Sequence, residues 1–254
     1  MTFARLQSVI VLVLIFTSRS GEATTLAVLG TPTHIVVASD SMAGKITRNG
    51  RTANTTCKII SAGQFVYASV GFTEDIKFNA DEIAARSKQQ KGNIGEHANW
   101  YARDAQQPFL EMMKRVHKSL PRLYKQVVSS EGSPLATIFA GVENGRPAFA
   151  LVEFIVVNDS WGKPKEVKTN IGACPGLFCV DPRMDFWRVF GQNEAAIRAV
   201  SGSKFWTGND AVDARKLVQI EIDAVPDRVG PPIDVVEIDS AGLHWLEPRG
   251  SCHH

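Results

Sequence analysis

Short apolar segments in this chain arrive in pairs, each pair joined by turn-forming residues, and helical stretches separate the pairs. That order constrains the fold more than any other feature. LAVL (26–29) and HIVVAS (34–39) flank Gly30-Thr31-Pro32-Thr33, and KIIS (58–61) and FVYASV (65–70) flank Ala62-Gly63-Gln64. LATIFAGV (135–142) and PAFALVEFIVV (147–157) surround Glu143-Asn144-Gly145-Arg146, and FWRVFG (186–191), IDVVEID (233–239) and LHWLE (243–247) follow. Residues 74–90 and 95–128 lose the strand signature and keep apolar residues at helical spacing. Pro108 and Pro121 are expected to kink or split the second of these stretches. Helices are expected at about 193–201 and 209–224, and a loop-rich segment between 158 and 185. Strand pairs surrounding helical pairs predict two packed sheets with helices outside, a layered α+β sandwich.

The start of the chain has a different character. Arg5 supplies a positive charge, Val9–Phe16 is unbroken apolar sequence, and Gly21 and Ala23 are the small residues expected before a cleavage point. The apolar run is far shorter than the roughly 20 residues a membrane span requires. Residues 1–23 therefore read as a removable export signal, 24–248 as one domain and 249–254 as a tail. The expected destination is secreted or periplasmic, with no membrane association after processing.

Charge and cysteine content agree with that reading. Lys and Arg total 28 against 26 Asp and Glu, and the basic residues are scattered, so no stripe suggests a nucleic-acid partner. Cys57, Cys174, Cys179 and Cys252 are an even number in a chain bound for an oxidising space, and Cys174 with Cys179 is the expected pair. Their spacing does not suit zinc, and no cofactor is expected.

A chain cut after Ala23 would begin at Thr24, which then carries a hydroxyl and a free α-amine on one residue. That combination can be nucleophile and base together. A hairpin centred on Pro32 puts Thr24 opposite Asp40, where paired Cβ atoms lie about 4.5–5.5 Å apart. Lys58 opens the next predicted strand and supplies the cation a carboxylate there needs. An ammonium beside Thr24 would ease alkoxide formation and push the neighbouring amine toward its neutral form. Alternation along that strand puts Cys57 on the face opposite Lys58, which argues against an activated cysteine.

These residues carry a resemblance. TTLAV, HIVVASDS, CKIIS and FVYASVGFTED, in that order, resemble the amino-terminal third of proteasome β-type subunits and the related bacterial two-component protease, members of the N-terminal nucleophile (Ntn) hydrolases. The resemblance implies a four-layer αββα sandwich. It implies Thr24 as nucleophile with its amine as base, Asp40 and Lys58 as the tuning charge pair, and the Gly71 N–H as an oxyanion donor at the mouth of the first helix. PDRVGPPIDVVEID resembles the family's final helix-to-strand turn and implies Asp227 as support for the amine.

The chain also departs from the family. Gly230-Pro231-Pro232 stands where a serine is usual, Gly191-Gln192-Asn193 where Gly-Ser-Gly is frequent, and Met42 where an arginine is common. The expected activity is an exported threonine peptidase acting on peptides or unfolded chains. A homo-oligomeric ring is compatible with the family, and no ATPase partner is expected because ATP is not available outside the inner membrane. An amidase or acylase acting on a non-peptide amide remains open, as does a catalytically silent scaffold or binding subunit.

Overall fold

A computed structural model describes residues 24–47, 50–129, 133–174, 186–201 and 205–246, with backbone alone for 43–47, 50–54 and 129. The expected signal (1–23) and tail (249–254) lie outside these residues. In chain order the described strands are β1 (Thr25–Gly30), β2 (His34–Asp40), β3 (Met42–Thr47), β4 (Gly50–Thr55), β5 (Ile60–Ser61) and β6 (Phe65–Gly71). They continue as β7 (Leu135–Glu143), β8 (Arg146–Asn158), β9 (Pro164–Cys174), β10 (Phe186–Gly191), β11 (Ile233–Asp239) and β12 (Gly242–Trp245). The helices are α1 (Ala80–Ser87), α2 (Ile94–Ser119), α3 (Pro121–Ser129), α4 (Glu194–Val200) and α5 (Asp210–Ala224).

Two antiparallel sheets result, with strand orders β10–β1–β2–β11–β12 and β5–β6–β7–β8–β9, while β3 and β4 form a separate hairpin. Alternation along the strands explains the packing. Leu26 and Val28 join Val37, Val66, Ile138 and Val236 in a core between the sheets. Ala27 and Leu29, on the other face of β1, join Val36, Leu217 and Val218 beneath α4 and α5. A third core lies between the second sheet and α1–α3, built on Tyr101, Phe109, Met112, Phe139 and Phe154. Strands buried on both faces read as continuous apolar runs, which is why β1 and β2 were visible in the sequence. The chain is an α+β sandwich.

Asparagine caps fix the starts of α1 and α2. Asn93 accepts from the Glu96 N–H while the Glu96 carboxylate accepts from Asn93 N, a reciprocal capping box, each bond 2.8 Å. Asn79 caps α1 by accepting from Glu82 N at 3.0 Å. That cap corrects the expected helix over 74–90: its first turns form a loop instead, clamped by Arg115, which donates to both Asp75 oxygens at 2.7 and 2.9 Å. Pro108 does not split α2, because Ala105, Phe109 and Met112 seat its face in the core on either side. Pro121 does divide the stretch, opening α3.

Three further expectations need correction. The loop-rich segment after Asn158 contains β9, whose Lys165, Glu166 and Lys168 are exposed and leave little apolar pattern to read. The hairpin β3–β4 was not anticipated. The strand KIIS shrinks to Ile60–Ser61, so Lys58 precedes the ladder. Phe154 is wholly buried, with ring centroids 5.7 Å from Tyr101 and 5.3 Å from Phe109. Phe154→Ala is expected to lower stability by about 3–5 kcal/mol in urea unfolding, the cost of a large aromatic cavity.

Candidate active site

The β1–β2 turn sets the geometry at the far end of both strands. Thr31 N donates to His34 O at 2.8 Å, which makes Pro32 and Thr33 the two central turn residues. Proline suits the first of these positions because its φ is already fixed near the required value. The centre therefore falls between Pro32 and Thr33 rather than on Pro32, and Leu26 pairs with Ser39. The expected register is off by one: Thr25, not Thr24, comes opposite Asp40. A backbone bond replaces the expected side-chain neighbourhood, with Thr25 N donating to Asp40 Oδ1 at 2.8 Å. That N–H belongs to the Thr24–Thr25 peptide, so the carboxylate still sits one peptide from Thr24.

Asp40 ends β2 with no solvent exposure. Lys58 Nζ donates to its Oδ2 at 2.9 Å, and Met42 N and Gly230 N donate to the same oxygen at 3.2 and 3.4 Å. Lys58 is itself buried. Its segment is anchored on both sides, by Thr56 N donating to Ser41 O at 2.7 Å and by Ile59 in the core between the sheets. Burial pushes the Asp40 carboxyl above its ordinary value, and the Lys58 charge with the Thr25 and Gly230 N–H groups pulls it partly back.

Thr24 is buried, and the end of β10 grips it through the backbone. Gln192 N donates to Thr24 O, and Thr25 Oγ1 donates to Gln192 O, both at 2.8 Å. Gly191 makes this approach feasible. At φ +76° it adopts a conformation that favours glycine, and a Cβ there would meet Thr24 O at 1.9 Å. The same Cβ would lie 3.5 Å from Val70 Cβ, which brings the end of β6 beside Thr24.

Gly71 closes β6 at φ +98°. It is not at a helix mouth as expected, because the loop 72–79 separates it from α1, and the helix dipole does not reach so far. Asp227 lies exposed in the turn between α5 and β11, three residues before the Gly230 N–H that meets Asp40. The Met42 sulfur would lie 2.8 Å from a Cβ on Gly230. Met42 and Gly230 thus form one packing arrangement, with the thioether filling the space beside a glycine. Cys57 and Cys174 are both disulfide-bonded, while Cys179, the partner expected for Cys174, lies outside the described residues.

The sequence reading missed Ser41 and Asp234. Ser41 Oγ donates to Asp234 Oδ2 at 2.6 Å, and both residues are buried. The available signal was a carboxylate among the apolar residues of β11. Among the described residues, no cluster of three His, Cys, Asp or Glu side chains could hold a metal ion. No described helix is long and apolar enough to cross a membrane. Compared with known proteins, the chain matches no family model and no curated protein.

Lys58→Met removes the cation facing a buried carboxylate, and breaking such a pair costs about 3–5 kcal/mol. The pH dependence has a definite sign. Asp40's folded value lies above its unfolded value of about 3.9, so its contribution is complete below that pH and is lost as pH rises through the folded value. Without Lys58 the ionised form is harder still to bury. Urea unfolding of Lys58→Met is therefore expected to show a large deficit at neutral pH that shrinks as the solution is acidified.

Proposed function

We propose that this chain is an exported threonine peptidase of the Ntn hydrolase type, built on a four-layer αββα sandwich and active once Thr24 is freed. The observation that carries the reading is the buried Lys58–Asp40 bond, tied by the Thr25 N–H to the peptide that follows Thr24. The helix–sheet–sheet–helix succession of the three cores supports the fold assignment. The disulfides at Cys57 and Cys174 agree with export to an oxidising space.

Cleavage after Ala23 converts the Thr24 amide nitrogen into an α-amine, whose ordinary pKa is about 7.7–8.0. The amine takes the Thr24 hydroxyl proton through a water, and Oγ1 attacks the substrate carbonyl. Lys58 stabilises negative charge developing at that oxygen, and Asp40 holds Lys58 in place. Gly71 N–H is the oxyanion donor in this scheme, and Asp227 the support for the amine. Collapse of the tetrahedral intermediate passes that proton from the α-amine to the leaving nitrogen, expels the amine product and leaves an ester on Thr24. The α-amine then takes a proton from the attacking water and passes it to Thr24 Oγ1 as the ester bond breaks, which releases the acid and restores the hydroxyl and the neutral amine. Substrates are peptides or already unfolded chains, a homo-oligomeric ring is compatible, and no ATPase partner is required.

A second reading has its own observation. The Met42 sulfur would lie 2.8 Å from a Cβ at position 230, where the family that the sequence resembles has a serine, and so crowds a side chain there, which suits a silent scaffold or binding subunit. An amidase or acylase with the same mechanism differs only in substrate.

N-terminal sequencing of the exported protein is expected to give Thr24 as the first residue, and any other start rejects the hydrolase reading. On a fluorogenic peptide panel, Thr24→Ala is expected to abolish turnover. Equal activity in both proteins would place the chemistry elsewhere. Turnover of acylated amines but not peptides would select the amidase.

A further inference from the structure

Ser41 bonds to the segment that carries Lys58 and to the α5–β11 turn, two of the segments that build the Asp40 environment. Its N–H donates to Gly230 O at 3.2 Å, its carbonyl accepts from Thr56 N at 2.7 Å, and its hydroxyl donates to Asp234 Oδ2 at 2.6 Å. It also lies between Asp40 and Met42, whose N–H donates to Asp40. Gly230 is therefore held twice, through its oxygen by Ser41 and through its N–H on Asp40 Oδ2. Asp234 sits one residue beyond Ile233, which pairs with Asp40 across β2 and β11. A buried hydroxyl given to a buried carboxylate is a short, charge-assisted bond that fixes both partners.

We propose that Ser41 and Asp234 form a positioning pair for Asp40. The bond staples the end of β2 to the start of β11, keeps the Gly230 and Met42 N–H groups on the Asp40 carboxylate, and so fixes the oxygen to which Lys58 is bonded. This rests on the peptidase reading for its catalytic consequence, but its hold on Asp40 does not. In this chain the pair takes over an ordering role at a turn where Gly230 offers no side chain. Among the described residues, Lys58 bonds the carboxylate directly and Asp234 reaches it through Ser41, and the freed Thr24 α-amine would lie one peptide away. Loosening the staple withdraws N–H donors from an anion, which makes the neutral acid easier to form.

The test follows the Asp40 carboxyl by carbon NMR across pH in the mature exported protein, alongside the pH profile of peptide turnover. Ser41→Ala is expected to move the Asp40 titration upward and to carry the acidic limb of kcat/KM with it. A fall in kcat of about tenfold with KM little changed is expected for lost orientation. Asp234→Asn keeps an oxygen that accepts the Ser41 hydroxyl and should show a smaller movement in the same direction. It also serves if Ser41→Ala does not fold. Titrations that superimpose on wild type in the folded variants overturn the proposal, even if their stability falls. An upward titration with unchanged kcat overturns it too, because the pair would then be structural only. If no Thr24-dependent turnover exists, the peptidase reading fails and the titration alone decides whether the pair governs Asp40.

Discussion

A carboxylate with no access to water has to be solvated by the protein, and four chain segments share that task at Asp40. The start of β1 supplies the Thr25 N–H, the segment before β5 supplies Lys58, the start of β3 supplies Met42 N–H, and the α5–β11 turn supplies Gly230 N–H. None of these segments is adjacent in sequence to all the others. Their convergence depends on the five-stranded order of the first sheet and on the core that clamps Ile59 between the sheets. An ion pair so deeply buried is weak as a source of stability but strict about geometry, because each lost donor leaves charge uncompensated. The sandwich can be understood as the frame that makes this strictness tolerable.

Much of the frame could be read from the chain. Buried strands such as β1 and β2 announce themselves because both faces are apolar, and Asn-Gly at 144–145 marked the β7–β8 turn, where both residues take positive φ. The β9 and β3–β4 strands escaped notice for the opposite reason, since charged and small residues carry no periodic signal there. Helix length was misjudged where side chains outside the helix decide it. The Asn79 cap and the Arg115–Asp75 clamp hold back the start of α1, and packing carries α2 through Pro108.

The site was legible in its chemistry and less so in its register. Asp40 and Lys58 stood out because a charged residue at each end of an apolar strand needs a partner. Their contact at 2.9 Å crosses between the sheets, since β2 belongs to the first and the segment carrying Lys58 leads into β5 of the second. The single-residue offset at the turn changed which atoms meet: a backbone N–H at Thr25 took the place assigned to the Thr24 side chain. Sequence spacing does not resolve that choice, since it depends on whether Thr31 closes the turn. The need for glycine at position 191 lies in three dimensions, where the Thr24 carbonyl leaves no space for a side chain. Ser41 and Asp234 meet from strands 193 positions apart, a distance over which no local pattern connects them.

The outer strand β9 has a consequence for self-association. It forms one margin of its sheet, and Gln106 of α2 already takes the Val167 carbonyl. Exposed Lys165, Glu166 and Lys168 place water-seeking groups along the same margin. Such a border discourages a neighbouring molecule from adding a strand and continuing the ladder. Copies of this chain that gather into a larger body would therefore not do so by extending the second sheet past β9.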